Sequence, residues 1–267
     1  MSLYDVIIKP LARNMDTDRA SRIGLRYFQL IGKIPFGRKI NRWIHSNHRE
    51  GLQREVFGLS FYNPVGLGAG LDIHCELYND LNNLGFSFTE VGPMGADGVR
   101  RAIDHIQADP PDDIIAVCIS EDYLTSFTLA YDFFDMFIID LTDDPSTEET
   151  NALLESRINE QEYKPIIIKL PDYIGGAELD HIADFCLMNS IDGLELRSNA
   201  QVRQIHEHTG GRLPIIANCH IDTPEQAAES LKAGASLVEI RTGLLREGPK
   251  IVGKTLKYLK NEKAGTI

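Results

Sequence analysis

The sequence predicts a single (β/α)8 barrel preceded by a helical arm. Three observations carry this. Eight short apolar segments, at 64–69, 87–92, 114–119, 136–142, 165–170, 193–198, 214–219 and 236–242, alternate with eight helical segments, at 74–84, 97–106, 121–131, 148–160, 176–189, 200–208, 224–233 and 248–260. The apolar segments run without polar alternation, as parallel strands buried on both faces do. The chain of 267 residues, 43% of them hydrophobic, suits one large domain of this kind.

The stretch 212–249 sets the pattern. Pro214–Cys219 is a short apolar strand. Thr223 is an N-cap, Pro224 fits the first helical position, and Gln226 completes a capping box. Ala227, Ala228 and Leu231 give the helix an apolar face, and Gly234 ends it. The next strand, Ser236–Thr242, is closed by Gly243, and a further helix begins near Gly248. Two adjacent parallel strand ends beside a helix N-terminus are where such a barrel holds a phosphate. Upstream, residues 55–63 alternate and turn at Gly58, which predicts a hairpin across the barrel floor.

Charge divides the chain in two. Residues 1–49 carry ten Lys/Arg against three Asp/Glu, and the rest 17 against 36, for a net charge of −12. Leu3, Ile7 and Leu11 share a helical face, as do Ala20, Ile23, Tyr27, Leu30 and Ile31, with Arg19, Arg22 and Arg26 mostly on the other side; a third basic turn surrounds Trp43. We expect domains at 1–50, an amphipathic helical arm, and 51–267, the barrel. The arm is either a membrane-surface element, through residues 1–45, or a solvated arm docked on the acidic body. No apolar run reaches a membrane span and no signal-peptide pattern opens the chain. The four cysteines, Cys75, Cys118, Cys186 and Cys219, are far apart and without zinc spacing, so no metal is expected and a reducing cytoplasm fits. The expected location is the cytoplasm, or the inner face of the cell membrane as a peripheral protein. No nucleic-acid partner is expected.

The strand ends carry the candidate chemistry. Gly66-Leu-Gly-Ala-Gly-Leu-Asp72, with Glu90 downstream, could be taken for a dinucleotide fingerprint, but the third glycine is misplaced. Lys169 closes the fifth strand, a position where barrels keep functional groups, or else it pairs with neighbouring acids. Glu195 and Arg197 share one strand face, and so do Glu239 and Arg241. Because buried charges must be paired, Lys169, Glu195, Arg197, Glu239 and Arg241, or a subset, are expected to form an ionic network at the barrel mouth.

The segment LPII…GASLVEIRTGLLREGP resembles the C-terminal phosphate-binding segment of dihydroorotate dehydrogenases of the quinone-dependent, membrane-associated class. The likeness extends over nearly the whole chain, including LYDVIIKPLARNMDTDRASRIGLRYFQLIGKIPFGR, which is similar to the helical extension through which that class meets the bilayer and admits quinone. The resemblance implies FMN as cofactor, with Ala69, Gly70, Lys169, Ser198 (or Asn199), Thr242 and Gly243 as cofactor-binding positions and Asp143 in place of the serine base. Asp143 reads first, however, as an acid at a helix N-terminus, in front of the Ser146/Glu149 capping box.

Departures from the family pattern are as informative. Ile73 stands where the family has a lysine, and Cys118 near the place of an asparagine that faces the flavin. Cys219-His220 replaces a glycine pair, so His220 either donates to a phosphate or blocks it. About twenty residues separate Gly92 from the next strand, so the asparagine-rich loop that closes over orotate is missing. Two functions follow as expectations. One is a dihydroorotate-dehydrogenase-like protein with an eroded FMN and orotate site, catalytically inactive or strongly impaired. The other is an active FMN-dependent oxidoreductase acting on dihydroorotate or a related substrate, with quinone as acceptor, Asp143 as base and Lys169 on the flavin.

Overall fold

A computed structural model describes residues 51–141, 147–158 and 162–264. The arm, Asp143, Ser146 and the side chain of Glu149 therefore lie outside the described residues.

The chain enters through a hairpin, β1 (Arg54–Val56) and β2 (Leu59–Phe61), whose two-residue turn at Phe57-Gly58 takes positive φ at both positions. That geometry matches the twist of the paired strands. Eight parallel strands then close into a barrel: β3 (Val65–Leu67), β4 (Phe88–Met94), β5 (Ile114–Ile119), β6 (Met136–Asp140), β7 (Ile166–Lys169), β8 (Gly193–Leu196), β9 (Ile215–Ala217) and β10 (Leu237–Ile240), with β10 pairing back onto β3. The helices among the described residues are α1 (Tyr78–Asn82), α2 (Ala96–Ala108), α3 (Tyr123–Ala130), α4 (Thr147–Ile158), α5 (Gly176–Met188), α6 (Asn199–Thr209), α7 (Pro224–Lys232), α8 (Thr242–Glu247) and α9 (Lys250–Ala264).

Two apolar clusters follow from the two-residue period of the strands. One set of residues, including Val91, Ile115, Val117, Phe137, Ile139, Ile166 and Leu194, packs against the helices. The other, including Phe88, Ala116, Met136, Ile138, Ile167, Ile216 and Leu237, fills the barrel, and Val56, Phe57 and Phe61 of the hairpin complete it from below. Phe61 meets Phe88 edge-on at 5.5 Å. A Cβ at Gly66 would lie 2.2 Å from the Phe88 ring, so β3 needs glycine there to let that ring turn inward. The interior is thus a packed core whose polar residues are confined to the C-terminal ends of the strands.

The expected strands and helices are all present, with one change of element. Thr242 belongs to α8 rather than to the last strand. The backbone leaves the extended region at Arg241, and Leu244 and Leu245 become the buried side of a short helix.

Candidate functional site

Continuing inward along the same strand faces, the last polar layer of the barrel holds Glu90 (β4), Lys169 (β7), Glu195 (β8) and Glu239 (β10). The three glutamates have no exposed surface and Lys169 is 3% exposed. Strand register puts them at one level: Lys169 lies beside Glu195, and Asp140 beside Lys169. The Lys169 ammonium donates to Glu90 Oε1 at 3.0 Å and to Glu195 Oε1 at 2.8 Å. The Asn218 amide also donates to Glu195 Oε1, at 2.9 Å. Cys118 Sγ lies 4.0 Å from the ammonium and 3.8 Å from Asp140 Oδ2.

Burial governs the protonation of this layer. It opposes charge on Lys169, but Glu195, Glu90 and Glu239 around it more than compensate and hold the ammonium well above the usual lysine range. Burial and Glu90 push Glu195 up to about 7, against the pull of Lys169 and Asn218. Burial, Glu195 and Glu90 raise Glu239 well above the ordinary carboxylate range. Burial likewise keeps the Cys118 thiol protonated, so it is no nucleophile here.

The ionic network expected from the strand faces is present in part, as Lys169 and Glu195 with Glu90 added, while Glu239 lies in the same layer without an ion pair. Arg197 and Arg241 are half-buried, and no ion pair among the described residues joins them to it. In the sequence Glu90 stands out only as the acid downstream of the glycine-rich loop. Its inward parity, two residues beyond Phe88 on β4, was the signal available to place it.

Gly68, Ala69 and Gly70 of the first-strand loop each lie against one of the protein's own side chains. A Cβ at Gly68 would lie 2.9 Å from Glu239 Oε2 and 3.2 Å from the Asn218 amide. The Ala69 N–H donates to Glu90 Oε2 at 2.8 Å. A Cβ at Gly70, whose φ is +95°, would lie 3.1 Å from the Arg241 guanidinium, and the Gly70 N–H donates to the Gly92 carbonyl at 2.8 Å. Asp72 is buried and accepts the N–H groups of Glu76 and Leu77, both at 2.8 Å, so it folds the loop ahead of α1. Ile73, beside it, is 44% exposed.

At the far strand ends, Asp222 takes the leading part. It accepts the Thr242 hydroxyl at 2.5 Å and pairs with Arg246. The backbone at Ile221 and Asp222 packs on Gly243, where a Cβ would lie 2.6 Å from the Ile221 carbonyl oxygen. His220 is exposed with φ +53°, a left-handed backbone of the kind that favours glycine, while Cys219 packs against the core. Ser198 caps α6: its hydroxyl accepts from the Gln201 N–H at 3.3 Å.

Between β4 and α2 stands a single residue, Gly95. No loop closes over the mouth from this strand, as the sequence spacing anticipates.

Comparison with known proteins agrees with the architecture. The family model for dihydroorotate dehydrogenase matches residues 189–262, which run from β8 through α9. A dihydroorotate dehydrogenase (quinone) of Christiangramia forsetii is 24% identical over 333 residues, covering 94% of this chain and 96% of that protein. One from Haemophilus influenzae is 23% identical, covering 92% and 97%. An alignment of 333 positions that takes in 94% of a 267-residue chain leaves roughly 80 positions of the relative opposite gaps. The crystal structure of a DHODH from Eimeria tenella in complex with ferulenol superposes with a TM-score of 0.70 at 17% identity, covering 88% of this chain and 93% of that one. With the barrel, the strand-end segment and the length of these matches together, the chain is similar to dihydroorotate dehydrogenases over nearly its whole length.

Proposed function

We propose that this protein is a family member that no longer oxidises dihydroorotate, its FMN and orotate sites having been given over to side chains of its own. The family binds FMN, and the residues present here do not fit that group. The observation that carries the reading is the charge of the buried layer. A reduced flavin carries negative charge and needs a positive field beside it. Lys169 is instead held by Glu90 and Glu195, with Glu239 alongside. Three carboxylates to one ammonium leave the layer negative, or at most neutral once two of them are protonated, so it offers no net positive field.

Two further observations support it. The glycine-rich loop on which an isoalloxazine ring would lie is in contact with Glu239, Glu90 and Arg241. Where the phosphate would be gripped, the Asp222 carboxylate already takes the Thr242 hydroxyl and the Arg246 head, and a phosphate would meet like charge. Among the named cofactor positions, Ala69, Ser198, Thr242 and Lys169 each have an internal hydrogen-bond partner.

The competing reading is an FMN oxidoreductase with Asp143 as base and quinone as acceptor, and it makes the opposite forecast. Purified full-length protein, assayed for dihydroorotate-dependent reduction of a soluble quinone analogue, should show no rate above the enzyme-free background and no flavin absorbance. A yellow protein with dihydroorotate-dependent turnover would overturn the proposal.

A further inference from the structure

The same layer has an unresolved charge and an unresolved set of hydrogen bonds. Lys169 serves Glu90 Oε1 and Glu195 Oε1, and the Ala69 N–H serves Glu90 Oε2. Glu195 Oε2 and both oxygens of Glu239 have no hydrogen-bond partner, although neither residue has any exposed surface. A buried carboxylate without a donor is costly, and the penalty grows when a second stands beside it. Fully ionised, the layer carries two negative charges in excess. One oxygen from each of Glu90, Glu195 and Glu239 lies within 4.8 Å of the others. A single ion with oxygen ligands at about 2.3–2.6 Å spans such a separation.

We propose that Glu90, Glu195 and Glu239 bind one hard divalent cation, of the calcium or manganese kind, inside the top of the barrel. The ligand set is all oxygen and all carboxylate, which selects such ions over softer metals. Two positive charges bring the layer to neutrality with Lys169 in place. The orphaned oxygens of Glu239 and Glu195 become ligands, and Lys169 keeps the opposite oxygens of Glu90 and Glu195 oriented. Two protons would give the same charge balance. The two solutions differ in their pH dependence, because a cation competes with protons for carboxylates and binds more tightly as pH rises.

The test uses the full-length protein, stripped with chelator and then titrated with manganese chloride or calcium chloride. Ion content is read after dialysis, and thermal unfolding is followed at pH of about 6 and about 8. The expected result is one ion per chain and a rise in melting temperature that is larger at the higher pH. Glu239→Gln should weaken binding by about tenfold or more with an unchanged circular dichroism spectrum. Should that variant fail to fold, the ion content and melting shift of the unaltered protein still decide. Absence of stoichiometric ion at millimolar concentration of either salt, or full binding retained in Glu239→Gln, overturns the proposal. Visible absorbance of the same samples reports flavin separately. A flavin-bearing protein that also takes one cation would contradict the proposed function and leave this inference standing.

Discussion

Lys169 holds the barrel mouth together at the scale of single residues. Removing it leaves two glutamates that its ammonium now joins, in a layer without exposed acids. Breaking a buried pair from one side costs about 3–5 kcal/mol, so Lys169→Met should lower unfolding stability by that order in urea denaturation. A loss under about 1 kcal/mol would mean that the pair contributes little beyond a surface ion pair. Glu195 offers a second test, with an unusual sign. Its folded-state pKa is raised to about 7, from 4.5. The folded protein therefore holds a proton that the unfolded chain has lost in this interval. Stability that is full below the unfolded pKa is lost as pH rises through the folded one. In chelator, thermal stability should fall between about pH 5 and about pH 7, and Glu195→Gln should flatten that slope. A stability that climbs over the same interval would contradict the protonation assigned to this layer. Ser198 shows why a residue type at a strand end does not declare its role: the same hydroxyl that could meet a cofactor is a helix cap.

Elements were the most legible level. Short β-branched runs such as Ile166–Lys169, bounded by helical segments with their own stop signals, admit little but a buried parallel strand. The capping box at Thr223 and Gln226 is present as the sequence spells it, with both reciprocal hydrogen bonds made. Thr223→Ala should cost about 1 kcal/mol, measured as a lowered melting temperature with unchanged flavin and ion content. No measurable loss would show that α7 is held by packing alone. The short helix α8 was not legible, because Leu244 and Leu245 continue the apolar character of β10 and only the backbone turn at Arg241 separates them. Glu239 was visible by strand parity. Glu90 shares the inward face of Phe88 by the same parity, but its distance from the glycine-rich loop suggests a different role. Nothing in sequence spacing reveals that Asp222 reaches back to Thr242, a contact made only when β9 and β10 lie side by side.

At the scale of the molecule, a closed barrel carries three buried glutamates and one buried lysine at its mouth. The bulk of the wall core is set by apolar alternation, which tolerates sequence identity as low as 24% to a relative over nearly the full chain. The mouth depends on a few charges whose sum decides what can sit there. No helix among the described residues is long and apolar enough to cross a membrane, yet residues 1–49 concentrate positive charge on an otherwise acidic protein. We propose that this arm meets anionic lipid, and flotation with anionic vesicles should recover the full chain but not a variant lacking residues 1–45. Equal flotation of both would remove the arm from any membrane role. Whether the charges and contacts at the barrel mouth exclude a flavin nucleotide is decided by titrating FMN into the purified full-length protein and following flavin fluorescence. The expected result is no quenching and no co-elution of FMN on gel filtration. One tightly held FMN per chain would contradict it.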